Sequence, residues 1–267
     1  MKTIAARFPV LFALTTTSIA MLCLVWPLWV PGLSLATQII LGRIVICAFA
    51  IAMLTYLGWW REAGFIRLTS WRILVPYLPL LALLILSKVS EVSTLGIRVT
   101  DLELIILGVV VYLAGGFMEE AIFRGLVLRT LLPGGLVRAA LLSSLIFASA
   151  HFLNLIQGAN LNDTILQVII AFLVGMAFVA PLAVTRNIWP AVFIHALNNI
   201  GGYLTVGGFV NTAATSQNPT LNEAIGEILF PLLLAIYSFW LLRRTGRRMG
   251  LRAATGKQNL AVDRLGG

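Results

Sequence analysis

Glu119 and Glu120 stand side by side, with Arg124 a turn later, inside an otherwise apolar run from Leu104 to Leu128. The two histidines of the chain, His151 and His195, also fall in apolar runs, and Asn199 follows one turn after His195. Ionisable groups in such runs are costly to bury and mark a functional site unless a partner explains them. On a helix, Glu120 and Arg124 share a face with the acid on the N-terminal side, the favourable order for an ion pair. Glu119 lies about 100° round the helix from Glu120, so the two carboxylates are expected to do different work. Glu120 is compensated by Arg124, and Glu119 is left to another partner or to a cavity, where a carboxylate can serve as a general base.

A single buried histidine is ordinarily a satisfied core residue. Two of them sharing a membrane with an unpaired glutamate point to a site. At a rise of about 1.5 Å per residue, Glu119 lies roughly 15 Å from Arg129, His151 roughly 20 Å from Arg138 and His195 roughly 14 Å from Arg186. All three therefore reach similar depths, and one cavity open to the cytoplasm is expected. Two histidines and a glutamate are also a conceivable zinc set. No His-Glu-x-x-His helix is present, however, and Asn199 is a poor zinc ligand; the expectation is a site with no cofactor and no metal.

The elements that must hold these residues are membrane helices. Of 267 residues, 60% are hydrophobic and 11% charged, with a mean hydropathy of +0.97. So few charges cannot cover a soluble domain of this length. The expected fold is all-α, one polytopic membrane domain over residues 1–267 with no separate soluble part. Eight spans follow from the apolar runs: Phe8 to Val30, Ala36 to Trp60, Trp71 to Val89, Leu104 to Leu128, Leu136 to Leu155, Ile165 to Thr185, Ile188 to Leu204 and Ile225 to Leu242. The first has Lys2 and Arg7 before it but is too long for a signal peptide core, and is expected to be retained.

The net charge of +9 would suit a nucleic-acid partner in a soluble protein. Here the basic residues follow the ends of the apolar runs and report orientation instead. With a cytoplasmic N-terminus, Arg61, Arg67, Arg72, Arg129, Arg138, Arg186 and the tail from Arg243 lie inside, and only Lys88 and Arg98 outside. Both termini are then cytoplasmic, in the plasma membrane if the source is prokaryotic. The basic tail, 243–267, reads as a solvated anchor touching anionic lipid. Arg43 is expected to snorkel toward the outer interface, with a structural role inside the bundle as the alternative, and Cys23 and Cys47 to act as small apolar residues. Asn198 adjoins Asn199, so helix phase decides which of them faces a site. Gly115, Gly116 and Gly125 permit close helix approach.

Taken in order, Glu-Glu-x-x-x-Arg at Glu119, Glu120 and Arg124, Phe-x-x-x-His at Phe147 and His151, and His-x-x-x-Asn at His195 and Asn199 resemble the CPBP family. This is the family of type II CAAX-processing prenyl endopeptidases and bacteriocin-processing or immunity proteins. The resemblance covers roughly Leu102 to Thr205. It implies a glutamate-dependent intramembrane protease that cuts a peptide or protein, lipidated or not, near the cytoplasmic side. Glu119 with His151 would activate a water, and His195 and Asn199 would stabilise the oxyanion. Glu120 and Arg124 would hold the geometry. Two rivals remain open: a family member that binds a peptide without cutting it, and a transporter using the same groups as a proton relay. The transporter reading lacks the internal repeat common in such folds.

Overall fold

The computed structural model describes residues 1–209 and 218–265, with side chains described through 246. Among these residues every regular element is helical. Helix α1 (Lys2–Arg7) leads into α2 (Pro9–Val25), which starts on a proline whose missing N–H costs nothing at a helix N-terminus. Helix α3 (Leu35–Leu57) is capped by Ser34, whose Oγ accepts from the Thr37 amide at 3.2 Å, and ends on Gly58 at φ +62. Helix α4 (Leu78–Leu95) extends a 3-10 turn, Trp71–Tyr77. Helix α5 (Leu102–Glu120) is capped by Asp101, which accepts from the Leu104 amide at 3.0 Å.

After Glu120 the chain does not continue as an ordinary helix. Ala121–Val127 forms a π-helical stretch, followed by the short α6 (Leu128–Leu131). Wide turns of this kind occur frequently at functional sites. Helix α7 (Leu136–Ser149) runs on as a 3-10 turn, Ala150–Leu155, that carries His151. Helices α8 (Leu161–Thr185), α9 (Trp189–Val206) and α10 (Leu221–Leu265) complete the bundle.

Among the described residues, seven helices are long and apolar enough to cross a membrane. Large apolar side chains such as Leu11, Leu22, Ile44, Ile85, Leu86 and Val110 are exposed on their outer faces, as expected of surface that meets lipid tails. The protein is an all-α polytopic integral membrane protein. The eighth expected span, α9, is not among the seven, because His195, Asn198, Asn199 and two glycines dilute its apolar content. It nevertheless lies within the bundle, antiparallel to α5. Tyr203 Oη donates to Leu104 O at 2.8 Å near one end of the pair, and Gly116 meets Val192 and Ala196 near the other.

That second contact leaves no room. A Cβ on Gly116 would come within 2.6 Å of Val192 O and 2.8 Å of Ala196 N. Backbone cannot yield as a side-chain tip can, so Gly116→Ala is expected to destabilise the protein by about 1–3 kcal/mol. Thermal unfolding in detergent checks this against Gly226→Ala, where a Cβ meets nothing within 4 Å.

The loops sort into two ends. Ile188 N donates to Gly64 O at 3.0 Å, and Asn187 Nδ2 donates to Ile66 O and Arg67 O at 3.1 and 3.3 Å. Tyr77 Oη donates to Asn187 O at 2.8 Å. These contacts tie together the loops that carry Arg61, Arg67 and Arg186, and they define a basic end. At the opposite end Arg98 N donates to Leu204 O at 2.9 Å. The side chains of the tail residues Arg247, Arg248, Arg252, Lys257 and Arg264 lie outside the described residues; Arg243 and Arg244 sit over the Phe239 and Trp240 rings.

Candidate active site

Helix α5 presents the acid pair to α9 across the glycine contact, and His195 enters between the two carboxylates. Its Nε2 lies 3.2 Å from Glu119 Oε2 and its Nδ1 2.9 Å from Glu120 Oε1. The expected difference between the glutamates takes a particular form: they grip one imidazole from both sides. Both ring nitrogens thus face carboxylate oxygens, while a neutral imidazole has one N–H to donate. The trio therefore holds an additional proton, on the ring or on a carboxylate.

Glu120 is fully buried and Arg124 nearly so, at 0% and 2% side-chain exposure, with Arg124 Nη1 3.2 Å from Glu120 Oε1. The expected pair is present as a charge contact. The rest of the guanidinium faces aromatic rings, 4.5 Å from the Phe147 centroid and 5.3 Å from that of Phe178. Phe178 also stacks on the His195 ring at 5.7 Å, and Phe147 meets it edge-on at 6.2 Å. Phe178, on α8, belongs to no short sequence pattern, and its role was not visible in the sequence.

His151 is fixed from its own turn. Its Nδ1 lies 3.2 Å from Phe147 O, which can only accept, so Nδ1 carries the proton and Nε2 is left as the acceptor. The Phe147 ring packs edge-on against it at 5.1 Å. Glu119, His151, Asn198 and Asn199 all line one cavity of about 520 Å³. Asn199 is half-buried there and Asn198 exposed. Four of the expected site residues thus converge through the cavity or through direct contact, and Glu120 and Arg124 support them from behind. Asn154 donates to Gln167 Oε1 at 2.5 Å across the α7 to α8 turn, a local tie at a helix end. Among the described residues, no group of three or more His, Cys, Asp or Glu is arranged to hold a metal ion.

Two expectations are corrected by the geometry. The cavity does not open at the basic end. It runs from Glu119 and Phe147 past Tyr203 to Val25, Lys88, Gln157, Val206 and Gly208, all toward the opposite end. Counting residues from the nearest arginine located each group along its own helix but gave no information on which end is plugged. The basic end is filled by Ile122, Leu126, Val127, Leu131, Ala139 and Ile188, all buried. Arg43 does not snorkel outward either. It lines the same cavity, its guanidinium 5.2 Å from the Tyr112 ring centroid and its Nη1 4.0 Å from Met118 Sδ. Cys47 donates to Ala114 O at 3.5 Å one turn further along, a packing contact.

No curated protein and no solved structure matches the chain. Residues 101–201 match the family model described as type II CAAX prenyl endopeptidase Rce1-like. That stretch contains Glu119, Glu120, Arg124, His151, His195 and Asn199, and omits Arg43. Through this segment, which carries the acid pair and the imidazole it grips, the chain is similar to the Rce1-like type II CAAX prenyl endopeptidases.

Proposed function

We propose that the protein is an intramembrane endopeptidase that hydrolyses a peptide bond with a water held between Glu119 and His151. The observation that carries the reading is the shared cavity, into which a glutamate and a histidine with a free acceptor nitrogen both project. Glu119 takes a proton from the water as the oxygen attacks the scissile carbonyl carbon. The carbonyl oxygen becomes an oxyanion, to which the Asn199 amide donates, a contribution of about 3–4 kcal/mol where such donors have been removed from other proteases. The C–N bond then breaks, and the proton held by Glu119 passes to the leaving amine. No covalent intermediate, metal or other cofactor takes part.

His195 has both ring nitrogens engaged by glutamates, so its work in this scheme is to hold Glu119 in place rather than to meet the oxyanion. Glu120 and Arg124 hold His195 in turn. The partners are membrane lipid and a peptide substrate, with a prenylated C-terminal peptide among the candidates through the family. The basic residues favour cytoplasmic termini. On that orientation the cavity mouth at Lys88 faces away from the cytoplasm, and cleavage occurs on that side.

Purified protein in sealed liposomes, offered an impermeant peptide library and read by mass spectrometry, tests this. Cleavage is expected by those molecules whose Lys88 end faces the added peptide, with the rate unchanged by a chelator. Activity that a chelator abolishes and zinc restores would overturn the metal-free scheme, and peptide binding without cleavage would favour the non-catalytic rival.

A further inference from the structure

Arg43 has a position that the hydrolytic scheme does not use. It lies eight residues into α3 from Leu35, on a helix outside the family match, yet it reaches the cavity that holds Glu119, His151 and Asn199. The bundle makes room for it. A Cβ on Gly115 of α5 would fall 2.6 Å from Arg43 Nη1 and 3.1 Å from Cζ. The guanidinium lies over the Tyr112 ring, and its Nε is buried without a hydrogen-bond partner.

No carboxylate of the described residues lies within 4.0 Å of it, since Lys88, Arg124 and His195 are the cations that make ion pairs. The charge of the neighbouring cluster is already balanced, because Arg124 and the additional proton shared around His195 offset Glu119 and Glu120. Arg43 therefore adds a positive charge with no ion-pair contact to a cavity inside the membrane; Glu119 feels it only through space and is already held by His195. Such a charge is costly unless an anion meets it, and arginine presents a planar fork suited to two carboxylate oxygens.

We propose that Arg43 is a specificity-determining residue that receives a carboxylate of the peptide substrate within this cavity. A peptide offers this chemistry from two sources, its C-terminal α-carboxylate and an Asp or Glu side chain. The inference rests on the endopeptidase reading, so it is tested by binding in a background where cleavage plays no part.

In Glu119→Gln protein, fluorescent peptides of one sequence are compared with a free C-terminus, an amidated C-terminus, and an amidated C-terminus with one internal Asp. The free acid is expected to bind about tenfold more tightly than the amide, a difference of about 1.4 kcal/mol. Adding Arg43→Gln is expected to abolish the difference and Arg43→Lys to retain part of it. Recovery of tight binding by the internal Asp peptide assigns the recognised group to a side chain. Equal binding of acid and amide by the Arg43-containing protein overturns the proposal, as does an Arg43→Gln variant that weakens acid and amide alike. Carboxylate-selective binding by a protein whose wild type cuts nothing would remove the endopeptidase reading and leave this one standing.

Discussion

Glu119→Gln is expected to lower kcat for peptide cleavage by about 1000-fold, within the range for removing a positioned general base, while the protein stays folded. The two halves of this expectation have separate causes. An amide at this position keeps the size of the carboxylate and can still accept from His195 Nε2, but it cannot take a proton from water. Glu119 retains 20% side-chain exposure toward the cavity, and the additional proton of the trio can leave when its charge is removed, so its replacement leaves the buried Glu120–Arg124 contact in place. The thermal midpoint in detergent should therefore stay within a few degrees of wild type. A variant that cuts at the wild-type rate would remove Glu119 from the chemistry, and one that fails to fold would make it a structural residue.

Arg124→Met should show the reverse pattern, a loss of the fold itself. Glu120 has no exposure, and without the guanidinium its charge keeps only the proton shared with His195. Breaking a buried ion pair from one side costs about 3–5 kcal/mol, because the remaining charge is left in a poor solvent. The stacking on Phe147 and Phe178 is lost with it. The double variant Glu120→Gln/Arg124→Met should recover much of the stability, since both charges leave together. Arg124→Lys should fall between, because an ammonium cannot lie flat between two rings. Thermal unfolding of wild type, Glu120→Gln, Arg124→Met and the double variant in one detergent measures the coupling. Additive effects of the two single changes would show that the residues do not act as a pair.

The sequence made the chemistry legible where residue type alone carries the information. Carboxylates, an arginine and two histidines in apolar runs are anomalous in any arrangement, and their spacing put Glu120 with Arg124 and left Glu119 apart. The caps at Ser34 and Asp101 and the prolines at helix starts were equally local. What escaped depended on three-dimensional packing. Arg43 looked like an interfacial residue because nothing in the sequence shows that Gly115 clears a path for it. The direction of the cavity depends on which helix ends are filled by their neighbours, and Ile122, Leu126 and Ile188 close the basic end only once α5 and α9 are side by side. Helix α9 was expected to span by length, whereas its polar content comes from the residues that build the site.

The wide turn at Ala121–Val127 gives the site a dependence on chain length. A turn with i→i+5 bonding takes up more residues than an ordinary one, so it acts as a phase adjuster between the part of α5 that faces the cavity and the part that packs the basic end. Deleting one residue from a regular helix turns everything beyond it by about 100°, whereas a deletion here lets the wide turn close into regular α form and absorbs most of that rotation. A second deletion would find no slack left, and the residues beyond it would turn away from Glu119 although none had been replaced. Substitutions among the apolar residues of this stretch alter volume, whereas insertions and deletions alter angle, and the acid pair is exposed to the second kind of change.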